Sequence, residues 1–75
     1  MLTHEERRVL AYLRTRRAAS ADELARSCLH GSAEDWLDRV LAELDWLGYV
    51  TVYYRQGGRP GAVQLTEKGL VLADQ

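Results

Sequence analysis

The stretch RQGGRPGAVQLTEKG, residues 55–69, decides the fold. Its first seven residues hold three of the chain's six glycines and its only proline, beside two arginines. Such a stretch can be a phosphate-binding loop, a linker or the tip of a hairpin. A phosphate-binding loop needs a helix directly after its glycines, and a linker needs a second domain beyond it. Here strand-like YVTVYY (49–54) precedes the glycines and AVQLT (62–66) follows, which predicts an antiparallel hairpin with a mobile tip near Gly58.

Three helices are predicted ahead of the hairpin, over residues 4–16, 21–29 and 33–47. Each begins with a hydroxyl residue followed three positions later by an acid, which is the pattern of a helix cap. The pairs are Thr3 and Glu6, Ser20 and Glu23, and Ser32 and Asp35. Apolar residues then recur at helical spacing. Gly48 ends the third helix, and a short helix is expected over 67–73.

This order predicts an α+β winged helix-turn-helix, with three helices, a two-stranded wing and a short C-terminal helix. The wing strands are expected over 49–54 and 62–66, and residues 1–75 form one domain. The turn HGS (30–32) joins the second and third helices tightly enough for a helix-turn-helix.

Composition favours a cytoplasmic domain without a membrane span. The net charge is −1, and no apolar run approaches the length needed to cross a bilayer. Cys28, the only cysteine, lies on an apolar helical face and is expected to act as a small core hydrophobe. With His4 and His30 it offers no metal-ligand spacing. We therefore expect no cofactor, no metal and no enzymatic activity.

The motifs resemble those of bacterial winged-helix transcription regulators. LARSCLHGSAEDWLDRVLAELDWLGYV (24–50) is similar to their helix-turn-helix core, GGRPGAVQLTEKG (57–69) to the wing of PadR-type regulators, and LTEKG (65–69) to MarR-type ones. The resemblance implies double-stranded DNA as the partner, with Arg59 approaching the minor groove. PadR-like chains continue into a long dimerisation helix, so a homodimer of this chain would need another surface.

The DNA-binding residues expected on this basis lie on the third helix and in the wing. They are Ser32, Asp35, Trp36 and Arg39 on the helix, and Arg55, Gln56 and Arg59 in residues 55–61. Gly57, Gly58 and Gly61 are expected to permit positive φ, and Pro60 to stiffen the loop. Only one of Tyr53 and Tyr54 can face the core.

The acidity of the third helix weighs against deep insertion into a groove. Residues 34–45 carry five acids against one arginine, whereas groove-binding helices are usually neutral or basic. Glu43 and Asp45 are expected to point to water. The alternative is a protein-binding module that docks through an acidic third helix and Trp46.

Two further arginines have two alternative roles. Arg14 and Arg17, within RTRR (14–17), are a candidate partner or dimer surface with Trp46, or a phosphate clamp beside the wing. The placement of the basic side chains distinguishes DNA binding from docking to a protein. A common face for Arg39, Arg55 and Arg59 favours DNA, whereas an unbroken acidic face on the third helix favours the module.

Overall fold

A computed structural model describes residues 2–28 and 34–75, with only the backbone of Glu34 and Asp35. It has the predicted α+β winged helix-turn-helix class. The predicted turn at residues 30–32 and the end of the second helix at Leu29 lie outside the described residues. In chain order the elements are α1 His4–Arg16, β1 Ala18–Ser20, α2 Ala21–Cys28, α3 Glu34–Trp46, β2 Val50–Tyr54, β3 Pro60–Leu65 and α4 Glu67–Ala73.

The helix caps form where the sequence places them, within the described residues. Thr3 accepts a hydrogen bond from the Glu6 amide, and the Glu6 carboxylate accepts one from the Thr3 amide, which completes the predicted capping box. The Ser20 hydroxyl likewise accepts from the Glu23 amide at 3.0 Å. The third predicted cap, Ser32, lies outside the described residues.

Within the described residues, the sheet has three strands instead of the two expected. The additional strand, β1, pairs antiparallel with β3, so that β3 lies between β1 and β2. Arg17 turns the chain from α1 into β1 with a φ of 69°. Its carbonyl accepts a hydrogen bond from the Leu65 amide at 2.8 Å. A three-residue strand is too short to show a period-two pattern, which is why the sequence did not reveal it.

The hairpin loop is shorter than predicted, because β3 begins at Pro60 instead of at residue 62. Strand β2 begins at Val50 instead of at 49 and ends at Tyr54 as predicted. Pro60 is buried and heads its strand, where the missing N–H is tolerated. The Arg55 amide donates to the Arg59 carbonyl at 2.7 Å and closes the loop. Gly57 and Gly58 have φ of 96° and 85°, which suits a tight turn. Gly61 does not have positive φ, so that expectation was wrong.

The hydrophobic core lies between the helices and the inner face of the sheet. It takes the predicted apolar stripes of the helices and adds alternate residues of the strands. The fully buried members include Val9, Leu13, Leu24, Leu41, Leu44, Val50 and Val63. Neither Tyr53 nor Tyr54 joins the core, since both are about half exposed. An irregularity between these two residues shifts the strand register.

The LTEKG motif at the start of α4 holds the C-terminal end of α3 in place. The Thr66 hydroxyl donates to the Gly48 carbonyl at 2.6 Å and accepts from the Gly69 amide at 3.1 Å. The Lys68 ammonium donates to the Leu47 carbonyl at 2.9 Å and lies over the Tyr49 ring. These bonds satisfy carbonyls that a helix end leaves free. They fix α3 relative to the sheet.

Candidate nucleic-acid interface

The wing folds back against the helix-turn-helix and forms a cleft with it. This cleft has a volume of about 240 Å³. Its lining comes from α2, α3 and both sides of the hairpin loop: Ala21, Asp22, Ala25, Leu37, Asp38, Arg55, Arg59 and Pro60. The two wing arginines predicted to contact DNA therefore line a cleft shared with the second and third helices.

Each wing arginine makes an ion pair with an acid of the helix-turn-helix. Arg55 Nη2 lies 3.6 Å from Asp22 Oδ2 on α2, and Arg59 Nε lies 3.8 Å from Asp38 Oδ2 on α3. Both arginine side chains are more than half exposed. Ion pairs in such positions contribute about 0–1 kcal/mol. A phosphate can therefore replace either carboxylate at small cost.

Gly61 is required by close packing under the Arg55 side chain. A Cβ at this position would lie 2.9 Å from Arg55 Cγ and 3.2 Å from the Tyr53 carbonyl oxygen. A side chain at this position would displace the Arg55 side chain from its present path to Asp22.

The acids of α3 point to three different neighbours, so the helix does not present an unbroken acidic face among the described side chains. Asp38 turns to Arg59 in the wing. Asp45 accepts a hydrogen bond from the Val52 amide at 3.3 Å on the edge strand β2. Glu43 is exposed and turns to Glu6 of α1. Glu43 is exposed as expected, although it also faces Glu6, whereas the expectation that Asp45 simply points to water was wrong.

Glu6 and Glu43 form a carboxyl pair between α1 and α3. Glu6 is only 2% exposed; its Oε1 accepts from the Thr3 amide at 2.7 Å, and its buried Oε2 has no hydrogen-bond donor among the described residues while Glu43 is ionised. Two ionised carboxylates have no hydrogen to donate to each other, so Glu43 can donate to Glu6 only when Glu43 is protonated. This hydrogen bond and the charge of Glu6 raise the pKa of Glu43. Burial acts to raise the pKa of Glu6, but hydrogen bonds from Glu43 and Thr3 outweigh it and lower that pKa overall.

The exposed side of α3 carries the remaining candidate residues. Arg39 is exposed, Trp36 is 37% exposed and Trp46 is 86% exposed. Gln56 is exposed in the wing loop. Two residues predicted to contact DNA are not in view: Ser32 lies outside the described residues, and so does the side chain of Asp35.

The arginines at the end of α1 do not lie beside the wing tip. Arg17 contacts Leu65, at the opposite end of β3 from Pro60. Arg14 Nε pairs with Asp74 Oδ1 of α4 at 2.6 Å. Arg16 lies over the Tyr12 ring, and Tyr12 donates a hydrogen bond to Glu23. These contacts do not join the arginines to the wing tip, and the alternative of a phosphate clamp stays a prediction.

Neither Cys28 nor the metal-binding residue types form a candidate site among the described residues. Cys28 is buried, its Sγ lies 3.8 Å from the Arg8 carbonyl, and burial raises the pKa of its thiol. Residues 2–28 and 34–75 contain no group of three His, Cys, Asp or Glu side chains that could hold a metal ion. In the same part of the chain, no helix is long and apolar enough to span a membrane.

Sequence reasoning missed the residues that position the site from neighbouring elements. Asp22 stands in the first turn of α2, where an acid suits the helix dipole and needs no other explanation. Lys68 and Gly69 belong to the LTEKG motif, but their contacts with Leu47 and Tyr49 join residues far apart in sequence. Only the motif LTEKG itself could have drawn attention to them.

Solved structures of MarR-type winged-helix regulators share this fold. One is the C80S mutant of E. coli MarR in complex with operator DNA, with a TM-score of 0.76 and 23% identity over 99% of this chain and 52% of that one. Another is the transcriptional regulator PA4135, with a TM-score of 0.78 and 28% identity over 95% of this chain and 52% of that one. A third is Staphylococcus aureus MepR, with a TM-score of 0.77 and 19% identity over 97% of this chain and 53% of that one.

The present chain thus spans about half the length of these structures. No protein-family model and no curated protein matches it. The neighbours agree with the MarR-like part of the resemblance, whereas the PadR-like wing stays a prediction.

Proposed function

We propose that this chain is a DNA-binding transcription regulator, with α3 directed to the major groove and wing residues 55–61 directed to the minor groove. The observation that carries the proposal is the placement of Arg55 beside α2 and of Arg59 beside α3, in one cleft. A wing and a recognition helix that share one cleft can contact adjacent grooves of one duplex.

The wing arginines serve this function by exchanging one anion for another. A narrow minor groove concentrates negative potential and attracts arginine. Asp22 and Asp38 hold Arg55 and Arg59 through exposed ion pairs, and phosphates can displace such carboxylates. The two arginines are therefore held in position in the free chain, and their exposed ion pairs do not prevent them from binding a phosphate.

The helix contributes the side chains that can read base edges. Asp38 is directed to the wing, Glu43 to α1 and Asp45 to β2. Their charges therefore oppose insertion of the helix into a DNA groove less than the sequence indicated. Arg39 is left exposed on the helix, and arginine is the commonest side chain to contact guanine. The structure of E. coli MarR C80S with operator DNA supports the proposal, because that fold aligns over nearly all of this chain.

The test is a selection of bound duplexes from a random DNA pool at physiological salt. We expect the parent chain to enrich a defined sequence. The double variant Arg55→Ala with Arg59→Ala is expected to bind the same duplex more weakly, since phosphate and groove contacts set most of the affinity. The proposal fails if the parent enriches nothing beyond nonspecific binding. It also fails in its account of the wing if the double variant binds as tightly as the parent.

A further inference from the structure

Tyr54, the last residue of β2, lies on the side of the sheet that faces the helix-turn-helix. Side chains alternate along a strand, and Tyr54 continues the inward row of the buried residues Val50 and Val52. Its partner across the hairpin is Pro60, which is buried and lines the cleft with α2 and α3. Tyr54 nevertheless extends beyond the core, since it is 53% exposed.

A shift in the strand register brings Tyr54 opposite this proline. Tyr53 pairs with Ala62 in the regular way. Tyr54 then pairs with Pro60, so Gly61 is left as a bulge in β3. Bulges are common beside functional sites, where they change the direction of a side chain. Here the bulge aligns Tyr54 with the residue at which the wing meets the cleft.

The groups around Tyr54 suit a phosphate. Arg55 follows it in the chain, and Arg59 lies opposite Arg55 across the loop; both arginine side chains are more than half exposed. The Tyr54 hydroxyl forms no hydrogen bond among the described residues. The equally exposed Tyr53, in contrast, donates to Gln64 Oε1 at 3.2 Å on the outer face of the sheet. The Tyr54 hydroxyl is therefore available to an acceptor from outside the chain.

We propose that the Tyr54 hydroxyl donates a hydrogen bond to one backbone phosphate of the bound duplex, beside the wing. This inference rests on the proposed DNA-binding function and adds a contact to it. Arg55 and Arg59 attract the backbone by charge, and the phenol adds a directional contact of the kind that fixes the position of a protein on a duplex. Because the phenol is neutral, the contact strengthens binding without changing the number of counterions released.

The test compares Tyr54→Phe with Tyr53→Phe on a duplex selected by the parent chain. Each variant loses one hydroxyl from a half-exposed tyrosine, and the two rings lie on opposite faces of the sheet. We expect Tyr54→Phe to weaken binding about tenfold at fixed salt and to keep the parent's slope of log K against log salt. Tyr53→Phe should bind as the parent does. Both variants should keep the parent's Tm.

Duplexes with single neutral methylphosphonates in place of phosphates locate the contact. At the contacted phosphate, the replacement should weaken binding by the parent at least about threefold more than binding by Tyr54→Phe. Such coupling is expected of two groups in direct contact, and a merely structural role of the hydroxyl would not produce it.

Four outcomes would overturn this inference. They are unchanged affinity in Tyr54→Phe, an equal loss in Tyr53→Phe, the absence of coupling at every phosphate, and a lower Tm that accompanies the weaker binding of Tyr54→Phe. Each of them leaves the DNA proposal intact, because the parent still binds its selected duplex. A parent chain that enriches no duplex would overturn both proposals, so the two failures are distinguishable.

Discussion

Asp38 of helix α3 lies 3.8 Å from Arg59 of the wing, so an acid that seemed to oppose DNA binding is paired with a residue proposed to promote it. We expect Asp38→Asn to strengthen binding to a selected duplex about twofold to fivefold. The change frees Arg59 from one competing anion, in line with the roughly 0.5–1 kcal/mol of an exposed ion pair. The measurement is fluorescence anisotropy at fixed salt.

Asp74→Asn is the matched control for this substitution. It makes the same change in net charge and also breaks an arginine pair, with Arg14, but at the end of α4. A gain in Asp38→Asn that Asp74→Asn reproduces would reflect net charge alone. Weaker binding by Asp38→Asn would mean that Asp38 positions Arg59 instead of competing for it.

Arg59→Ala should weaken binding to the selected duplex and reduce the salt dependence of its affinity. Loss of one phosphate-region cation lowers the slope of log K against log salt by about 0.9. Titrations over a series of salt concentrations measure this slope. The matched variant is Arg14→Ala, whose side chain pairs with Asp74 of α4 and is expected to leave the slope unaltered. Equal slopes for Arg59→Ala and the parent would remove the wing tip from the interface.

Local patterns predicted the elements because those patterns act over a few residues. The cap of α1, formed by Thr3 and Glu6, joins residues three positions apart. The change from helical to alternating periodicity after Gly48 likewise marks the hairpin. Strand β1 could not be seen in this way, since it pairs with β3, more than forty residues later.

The candidate site was harder to predict, because a helical wheel gives the direction of a side chain and not what lies there. Asp38, Glu43 and Asp45 are alike in sequence, yet they meet an arginine, a carboxyl group and a backbone amide. Those partners come from the wing, α1 and β2. Only the packing of distant segments decides whether an acid is paired, repelled or used as a hydrogen-bond acceptor.

The carboxyl pair Glu6–Glu43 predicts an unusual pH dependence. The raised pKa of Glu43 means that the folded chain binds this proton more tightly than the unfolded chain. As pH falls through that raised pKa towards the ordinary glutamate value, the contribution of Glu43 to the free energy of unfolding increases. The lowered pKa of Glu6 acts oppositely, and its contribution is lost only as pH falls through the lowered value.

Glu43→Gln should therefore stabilise the chain at pH 7, because its amide donates to Glu6 without needing a proton. The advantage over the parent should shrink as the pH approaches the ordinary glutamate pKa. Urea unfolding at a series of pH values measures both effects. Glu67→Gln makes the same charge change in the first turn of α4, where an acid suits the helix dipole, and should give no stabilisation. If the gain in the free energy of unfolding of Glu43→Gln does not change with pH, the hydrogen bond from protonated Glu43 to Glu6 is contradicted.

Gly69 of the LTEKG motif should tolerate no side chain. A Cβ at this position would lie 2.0 Å from the Tyr49 carbonyl oxygen and 2.8 Å from Leu65 Cδ1. The obstacle is backbone, so α4 would have to move and would disturb the Thr66 and Lys68 bonds that hold the end of α3. We expect Gly69→Ala to cost at least about 2 kcal/mol and to lower Tm by roughly 10 °C. Thermal melting gives the comparison with Val71→Ala, which changes a 62% exposed residue of the same helix and should shift Tm by only a few degrees. An unchanged Tm in Gly69→Ala would show that α4 does not pack this closely on Tyr49.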